Sequence, residues 1–150
     1  MTLTPGEVIG PLKLGAPAHG GSCVARWKGQ VVFVRHGVPG ESVTVRLTEV
    51  KARFARGDVA EVLQASPARR EAPCPIASQC GGCDLQHLGL EAAAAWKSEV
   101  VAGLLSHAGI DHAPQVEIIE PAQGGWRRRM RYHADAQGRI GLRGHRSHEV

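Results

Sequence analysis

The chain has 150 residues, 43% hydrophobic and 21% charged, and its formal net charge is +4 at pH 7. This is the composition of an ordinary folded protein, and the length allows one average domain or two small ones. Residues 1–21 lack the pattern of a secretion signal, and no apolar run is long enough to span a bilayer. We therefore expect a cytoplasmic protein with reduced thiols and no membrane partner.

Residues 1–62 have the pattern of short strands separated by turns. Residues 42–47 alternate polar and apolar side chains with the period of two that a half-buried antiparallel strand requires, and Pro39-Gly40 predicts a turn before them. Further strands are predicted at 7–9, 12–14, 23–27, 30–35 and 58–62. So many short strands predict a small all-β barrel, because closure removes the exposed edges of a sheet.

Two stretches of this segment, ARWKGQVVFV at 25–34 and VPGESV at 38–43, resemble the TRAM domain. That domain is a small, OB-like, RNA-binding barrel, so the resemblance implies that one face of the barrel contacts RNA.

A basic cluster lies close to these strands in the sequence. Basic side chains pair with phosphates, and an aromatic ring can stack on an unpaired base. The alternatives are that the phenylalanine belongs to the core and that the charges form a solvated face. The candidate RNA-binding residues here are Lys51, Arg53, Phe54 and Arg56.

Residues 63–88 are predicted to form a linker and a cysteine cluster. Residues 66–73 are polar and punctuated by proline, which is typical of a domain boundary. Cys74, Cys80 and Cys83 follow with C-x5-C-x2-C spacing, and Gly81-Gly82 allows a tight turn between two of them. Thiolates that converge on one small volume form a soft-metal or iron–sulfur site, so the three cysteines are candidate metal ligands.

A stable site has four ligands, and three cysteines are visible. His87 can complete a Cys3His zinc knuckle, and spacing alone favours that alternative. Three cysteines without metal are disfavoured, because clustered reactive thiols oxidise readily. Cys23 lies far upstream in a predicted strand, where a small buried hydrophobic role is expected.

Residues 80–87 read CGGCDLQH. This string resembles the iron–sulfur segment of the S-adenosylmethionine-dependent RNA uracil-C5 methyltransferases, such as the 23S rRNA uracil-5-methyltransferases. The resemblance implies a structural [4Fe-4S] cluster on Cys74, Cys80 and Cys83. Its fourth ligand would be a cysteine downstream of a segment like 147–150. On this ground iron–sulfur is favoured over zinc.

Residues 90–109 are predicted to form a helix, because apolar side chains recur at three- and four-residue intervals and Gly109 suits the C-terminal cap. Strands are predicted at 116–119 and 129–134, with a turn at Gln137-Gly138 into a strand at 139–142.

Seven of the 18 Lys and Arg residues lie within 126–150, against two of the 14 acidic ones. Arg127, Arg129 and Arg131 would share one face of a strand and contact RNA phosphates. The alternative is a sheet edge guarded by charge.

Methyl transfer to uracil C5 needs a nucleophilic thiolate, a base and a donor site. The sequence lacks the strand–glycine loop–helix unit of a class I methyltransferase, so no catalytic residue is assigned. The resemblance implies that these parts, with the S-adenosylmethionine site, lie in a C-terminal domain absent from this chain.

The sequence thus predicts a barrel at 1–62, a linker and cysteine cluster at 63–88, and an α+β start of a substrate-recognition region at 89–150. We expect a monomer that binds RNA, ribosomal rather than transfer RNA, and not DNA, and that is catalytically inactive alone. The alternative is a stand-alone, non-catalytic RNA-binding module with a zinc knuckle.

Overall fold

The computed structural model describes residues 3–119 and 129–150. These residues form one six-stranded sheet, one helix and a small hairpin. The elements are β1 (Val8–Lys13), β2 (Pro17–Ala18), β3 (Ser22–Trp27), β4 (Gln30–Arg35), β5 (Ser42–Val50), β6 (Phe54–Gln64), α1 (Leu90–His107), β7 (His133–Ala134) and β8 (Ile140–Gly141).

The six-stranded sheet has the order β1-β5-β6-β4-β3-β2. Neighbouring strands are antiparallel except β4 and β6, which run parallel. Alternation along each strand turns one set of side chains inward, where aliphatic residues form the core. The fully buried members of this core are Leu12, Cys23, Val32, Val34, Val43, Val45, Leu47 and Ala55 from the sheet and Leu88 from the segment before the helix.

The expected closed barrel is not observed, because the sheet has two edges, β1 and β2. The chain between them lies beside β3: Gly15 N–H donates to the Val24 carbonyl at 2.8 Å, and Val24 N–H donates to the Ala16 carbonyl at 2.9 Å. Proline has no N–H for a strand ladder. Pro17 opens the two-residue β2, and the β1–β5 register shifts around Pro11. The sheet is therefore rolled but open.

β6 begins four residues before the strand expected at 58–62. Its first inward positions are Ala55 and Gly57, which are small and give no apolar signal. A Cβ on Gly57 would lie 2.5 Å from the Arg46 carbonyl oxygen, so the neighbouring strand leaves no room for a side chain there. Residues 51–53 consequently form the turn between β5 and β6.

The predicted helix is confirmed as α1, and its end is capped as expected. Gly109 has φ +77°, and Ile110 N–H donates to the Leu105 carbonyl at 2.9 Å. Trp96 is buried against the sheet core, whereas Leu104 is 55% exposed, so the apolar stripe is buried only in part. α1 is the one helix among the described residues, and it is not apolar enough to cross a membrane.

The strand predicted at 116–119 is not observed, because this segment lies along α1, where Val116 N–H donates to Ser98 Oγ at 2.8 Å. Within 129–134, the described strand pairing is limited to His133–Ala134 with Ile140–Gly141. A two-stranded ribbon is marginal without further strands, which explains its shortness. The predicted turn at Gln137-Gly138 is confirmed.

Candidate nucleic-acid interface and cysteine segment

Outward side chains of β4, β5 and β6 form a polar surface, which we call the β4–β6 face. Phe33 lies opposite Arg56 in the strand register, and Arg35 lies opposite Asp58. On the other side of β6, Glu49 pairs with Arg56. The face is defined by the residues Phe33, Arg35, Glu49, Phe54, Arg56 and Asp58. Alternation fixes this arrangement, since Val32 and Val34 point into the core.

Two phenylalanines and an arginine pack together on this face. The rings of Phe33 and Phe54 lie 5.9 Å apart at 74°, an edge-to-face pair. The Arg56 guanidinium lies 4.6 Å from the Phe54 centroid and 5.9 Å from that of Phe33. Phe54 is half-buried and lies outside the core cluster. Its ring therefore belongs to the surface, the placement that stacking requires.

Three cationic side chains surround the Glu49 carboxylate. Arg56 Nη1 lies 2.6 Å from its carboxylate, Lys51 Nζ 3.2 Å and Arg146 Nη1 3.7 Å. Hydrogen bonds from Arg56 and then Lys51 lower the pKa of this carboxyl, so it stays ionised. Three positive charges around one negative charge leave the surface basic. Arg53 is exposed in the adjacent turn.

Arg35 and Asp58 form a two-point ion pair on this face, in which the Arg35 side chain is buried and the Asp58 side chain is half-buried. Arg35 Nε lies 3.0 Å from Asp58 Oδ1, and Nη2 lies 3.2 Å from Oδ2. Nη2 also donates to the Ser78 carbonyl at 3.5 Å. This contact connects the sheet to the stretch that carries Cys74, Cys80 and Cys83, which we call the cysteine segment. Nη1 is buried and has no hydrogen-bond partner among the described residues.

A cleft of about 640 Å³ opens over the β4–β6 face. The cleft is also lined by His19 and Gly20 from the turn before β3 and by His145 and Arg146 from the C-terminal segment. The sequence interpretation missed Phe33, Arg35, Asp58 and His145. The outward orientation of Phe33 cannot be read from the VVFV run at 31–34, because its outward and inward positions are both apolar.

The buried carboxylate of Glu41 holds the linker that follows β6 against the sheet; its side chain is 0% exposed. Arg69 Nε and Nη2 each donate to it at 2.6 Å, and the backbone N–H groups of Val38 and Ser66 donate at 2.9 and 3.1 Å. Burial raises the pKa of this carboxyl, but these hydrogen bonds together outweigh it, and the net pKa is lowered. These contacts fix the position of the linker relative to the sheet, and the cysteine segment starts from there.

The three candidate ligand cysteines differ in exposure. Cys74 and Cys80 are half-buried and Cys83 is exposed. Gly82 N–H donates to Cys80 Sγ at 3.3 Å, a contact that suits a sulfur ligand of an iron–sulfur cluster. Within 3–119 and 129–150, no three His, Cys, Asp or Glu side chains are grouped as a metal site. The donor types fit a soft metal, but the structure does not bring the three thiols together.

His87 is buried, with 6% exposure, and its Nε2 lies 3.0 Å from the Gly37 carbonyl oxygen. Burial lowers the pKa of this imidazole, so it is neutral and donates through Nε2. Nδ1 is the nitrogen left for any metal.

The C-terminal segment, residues 143–150, packs on the turn at Gly81-Gly82 of the cysteine segment. Cys80 and Gly144 form an antiparallel bridge, and Gly81 N–H donates to the Arg143 carbonyl at 3.0 Å. A Cβ on Gly81 would lie 3.1 Å from the backbone of His145, so this approach requires a small residue. The approach also brings Arg146 to the cleft.

Cys23 is 0% exposed, and burial raises the pKa of its thiol to about 12. The prediction of a small buried hydrophobe is confirmed. Arg129 and Arg131 are exposed and lie outside the strands, so the single strand face expected for them is not observed. Arg127 lies outside the described residues.

Residues 6–60 match the family model of the TRAM domain. Over 93% of its length the chain is 46% identical to an uncharacterized RNA methyltransferase of Streptomyces avermitilis, covering 36% of that protein. It is 43% identical over 99% of its length to an uncharacterized RNA methyltransferase of Corynebacterium efficiens, covering 36% of it. It is also 40% identical over 89% of its length to the 23S rRNA (uracil(1939)-C(5))-methyltransferase RlmD of Halomonas elongata, covering 29% of it. The chain thus spans about a third of the length of these curated relatives.

Proposed function

We propose that this chain, which carries a TRAM domain and is homologous to part of the RNA methyltransferases, is the RNA-binding and iron–sulfur portion of a uracil-C5 methyltransferase. The carrying observation is the extent of the similarity. The TRAM match ends at residue 60, whereas identities of 40–46% extend over about nine-tenths of the chain. The similarity therefore extends past the TRAM domain into the region that contains the cysteine segment.

The RNA substrate we propose is ribosomal. The relative whose name states a substrate acts on uracil 1939 of 23S rRNA. The chain's own contribution is to bind and orient that RNA in the cytoplasm, acting as a monomer within the whole protein. The basic β4–β6 face supports this role, since phosphate contacts supply most of the affinity for nucleic acid.

The chemistry itself is assigned to a part of the whole protein outside this chain, where S-adenosylmethionine would supply the methyl group. The cysteines of the chain do not suit the role of nucleophile. Cys23 stays protonated, because the pKa of its thiol is about 12. Cys74, Cys80 and Cys83 are assigned to the metal.

The metal centre we propose is a [4Fe-4S] cluster on Cys74, Cys80 and Cys83, with a fourth cysteine following Val150. Two contacts support this arrangement. Gly82 N–H donates to Cys80 Sγ, and the C-terminal segment packs on the same turn through the bridge between Cys80 and Gly144. Metal ligation would add folding free energy to the cysteine segment.

A zinc knuckle is the alternative. His87 would have to bind zinc through Nδ1, because its Nε2 faces the Gly37 carbonyl. His87 also belongs to the packing between cysteine segment and sheet, which gives its burial a structural reason. These contacts favour the iron–sulfur assignment.

The first testable prediction concerns the reaction. Deleting the gene of the whole protein in its source cell should remove one 5-methyluridine from 23S rRNA, as measured by mass spectrometry of nuclease fragments. Re-expression of the whole protein should restore it. Unchanged rRNA would contradict the proposal, and a loss confined to transfer RNA would overturn the choice of ribosomal substrate.

A further inference from the structure

We propose that the cleft over the β4–β6 face binds one unstacked nucleotide of RNA, with its base against Phe33 and its phosphate beside Arg146. This inference rests on the proposed function, since RNA binding is its premise. It adds the form of the ligand: a single-stranded segment with one base turned out into the protein.

The size of the cleft suits one nucleotide. Its volume is about 640 Å³, within the range of about 300 to 1,000 Å³ usual for small-molecule sites. Sheet residues line the cleft together with two further segments, which contribute His19 and Gly20 and, from the C-terminal part, His145 and Arg146. A cleft of this size, lined by three parts of the chain, suits a base that has left its helix.

The floor of the cleft provides a platform for a base. Phe33 is half-buried there, and the Phe54 ring supports it edge-on at 5.9 Å. The Arg56 guanidinium lies beside both rings and also lines the cleft. Bases stack on aromatic rings and on guanidinium planes, and every base has the required face. The site should therefore tolerate different bases.

The rim of the cleft provides a cation for phosphate. Arg146 is 58% exposed, and its contact with Glu49 is 3.7 Å, longer than those of Arg56 and Lys51 with the same carboxylate. A surface ion pair of this length is weak, so the guanidinium can turn to a phosphate at little cost.

Arg35 offers a second, independent observation. Its Nη1 is buried without a hydrogen-bond partner in the described part of the chain, and Arg35 is one of the residues that line the cleft. Buried donors are almost always paired, in proteins, with protein groups or ordered water. A water held between this atom and a bound nucleotide would satisfy it.

The test measures binding of the whole protein that contains this chain, wild type or variant, to a fluorescein-labelled, single-stranded RNA 12-mer by anisotropy at several salt concentrations. Phe33→Leu should weaken binding about tenfold without changing the salt slope, because it removes stacking and no charge. Arg146→Gln should weaken binding and also make the slope shallower by about one. Lys13→Gln, an equal loss of charge on the exposed side of β1, is the matched control and should change little.

A duplex of the same sequence should bind more weakly than the single strand, and a free mononucleotide should not compete at micromolar concentration. If the wild-type protein binds the 12-mer and both variants bind like Lys13→Gln, the cleft is not the site, while the proposed function stands. Equal binding of duplex and single strand, or tight binding of the mononucleotide, would also overturn the inference. A wild-type protein that binds no RNA would overturn the proposed function itself.

Discussion

Glu41 is a buried carboxylate on which the connection between sheet and cysteine segment depends. It accepts hydrogen bonds from Arg69 and from the backbone of Val38 and Ser66. Arg69 in turn donates to the His36 carbonyl at 2.7 Å. One anion thus fixes both a turn of the sheet and the start of the linker.

Replacing this anion should destabilise the fold. Glu41→Gln places an amide against the Arg69 donors and leaves a cation without its partner, so we expect a loss of about 3 kcal/mol in the free energy of unfolding. Urea denaturation at pH 7 measures it. Glu61→Gln, which changes an exposed carboxylate on β6, should stay within about 0.5 kcal/mol of the wild type. Equal stability of the two variants would contradict the role of Glu41.

The same residue predicts a pH dependence. The pKa of Glu41 is lowered in the folded state from its ordinary value of 4.5. Its contribution is therefore fully present above that value and is lost as the pH falls through the folded-state pKa. The difference in unfolding free energy between wild type and Glu41→Gln should shrink in acid. A difference that grows in acid would contradict the assignment.

The cysteine segment is the part of the chain whose folding would depend on the proposed metal. Gly81 and Gly82 form its turn, and the backbone at Arg143 and His145 packs against Gly81. A change at the turn should therefore be felt both in metal content and in the C-terminal segment.

Cys80→Ser in the whole protein, purified without oxygen, should lose the cluster. We expect about four iron and four sulfide per wild-type molecule and nearly none in the variant. Cys23→Ala is the matched control, because Cys23 lies in the sheet core and should leave the iron unchanged. Full metal content in Cys80→Ser would contradict the ligand assignment, and one zinc without sulfide would favour the knuckle.

Much of the sheet follows from local sequence, whereas the cleft does not. Alternation at residues 42–47 correctly predicts the buried side of β5, and Gly109 predicts the end of α1. The start of β6 was missed, because Ala55 and Gly57 face inward without apolar bulk. The position of Arg146 depends on the bridge between Cys80 and Gly144, a contact between distant parts of the chain that no local pattern encodes.

At the scale of the whole molecule, two basic regions that are far apart in the sequence meet at one carboxylate. Lys51 comes from the turn between β5 and β6, Arg56 comes from β6, and Arg146 comes from the arginine-rich C-terminal segment, and all three approach Glu49. Folding therefore places three cations from distant parts of the chain on one surface, beside the half-buried rings of Phe33 and Phe54. Such a combination suits single-stranded nucleic acid.

The most direct test of this account is the salt dependence of RNA binding by the full chain. We predict that it binds a labelled single-stranded fragment of 23S rRNA, that the logarithm of the association constant falls linearly with the logarithm of the salt concentration, and that duplex DNA binds more weakly. A slope of about −2 would match the three cations that surround Glu49. Absence of RNA binding, or equal affinity for duplex DNA, would contradict the account.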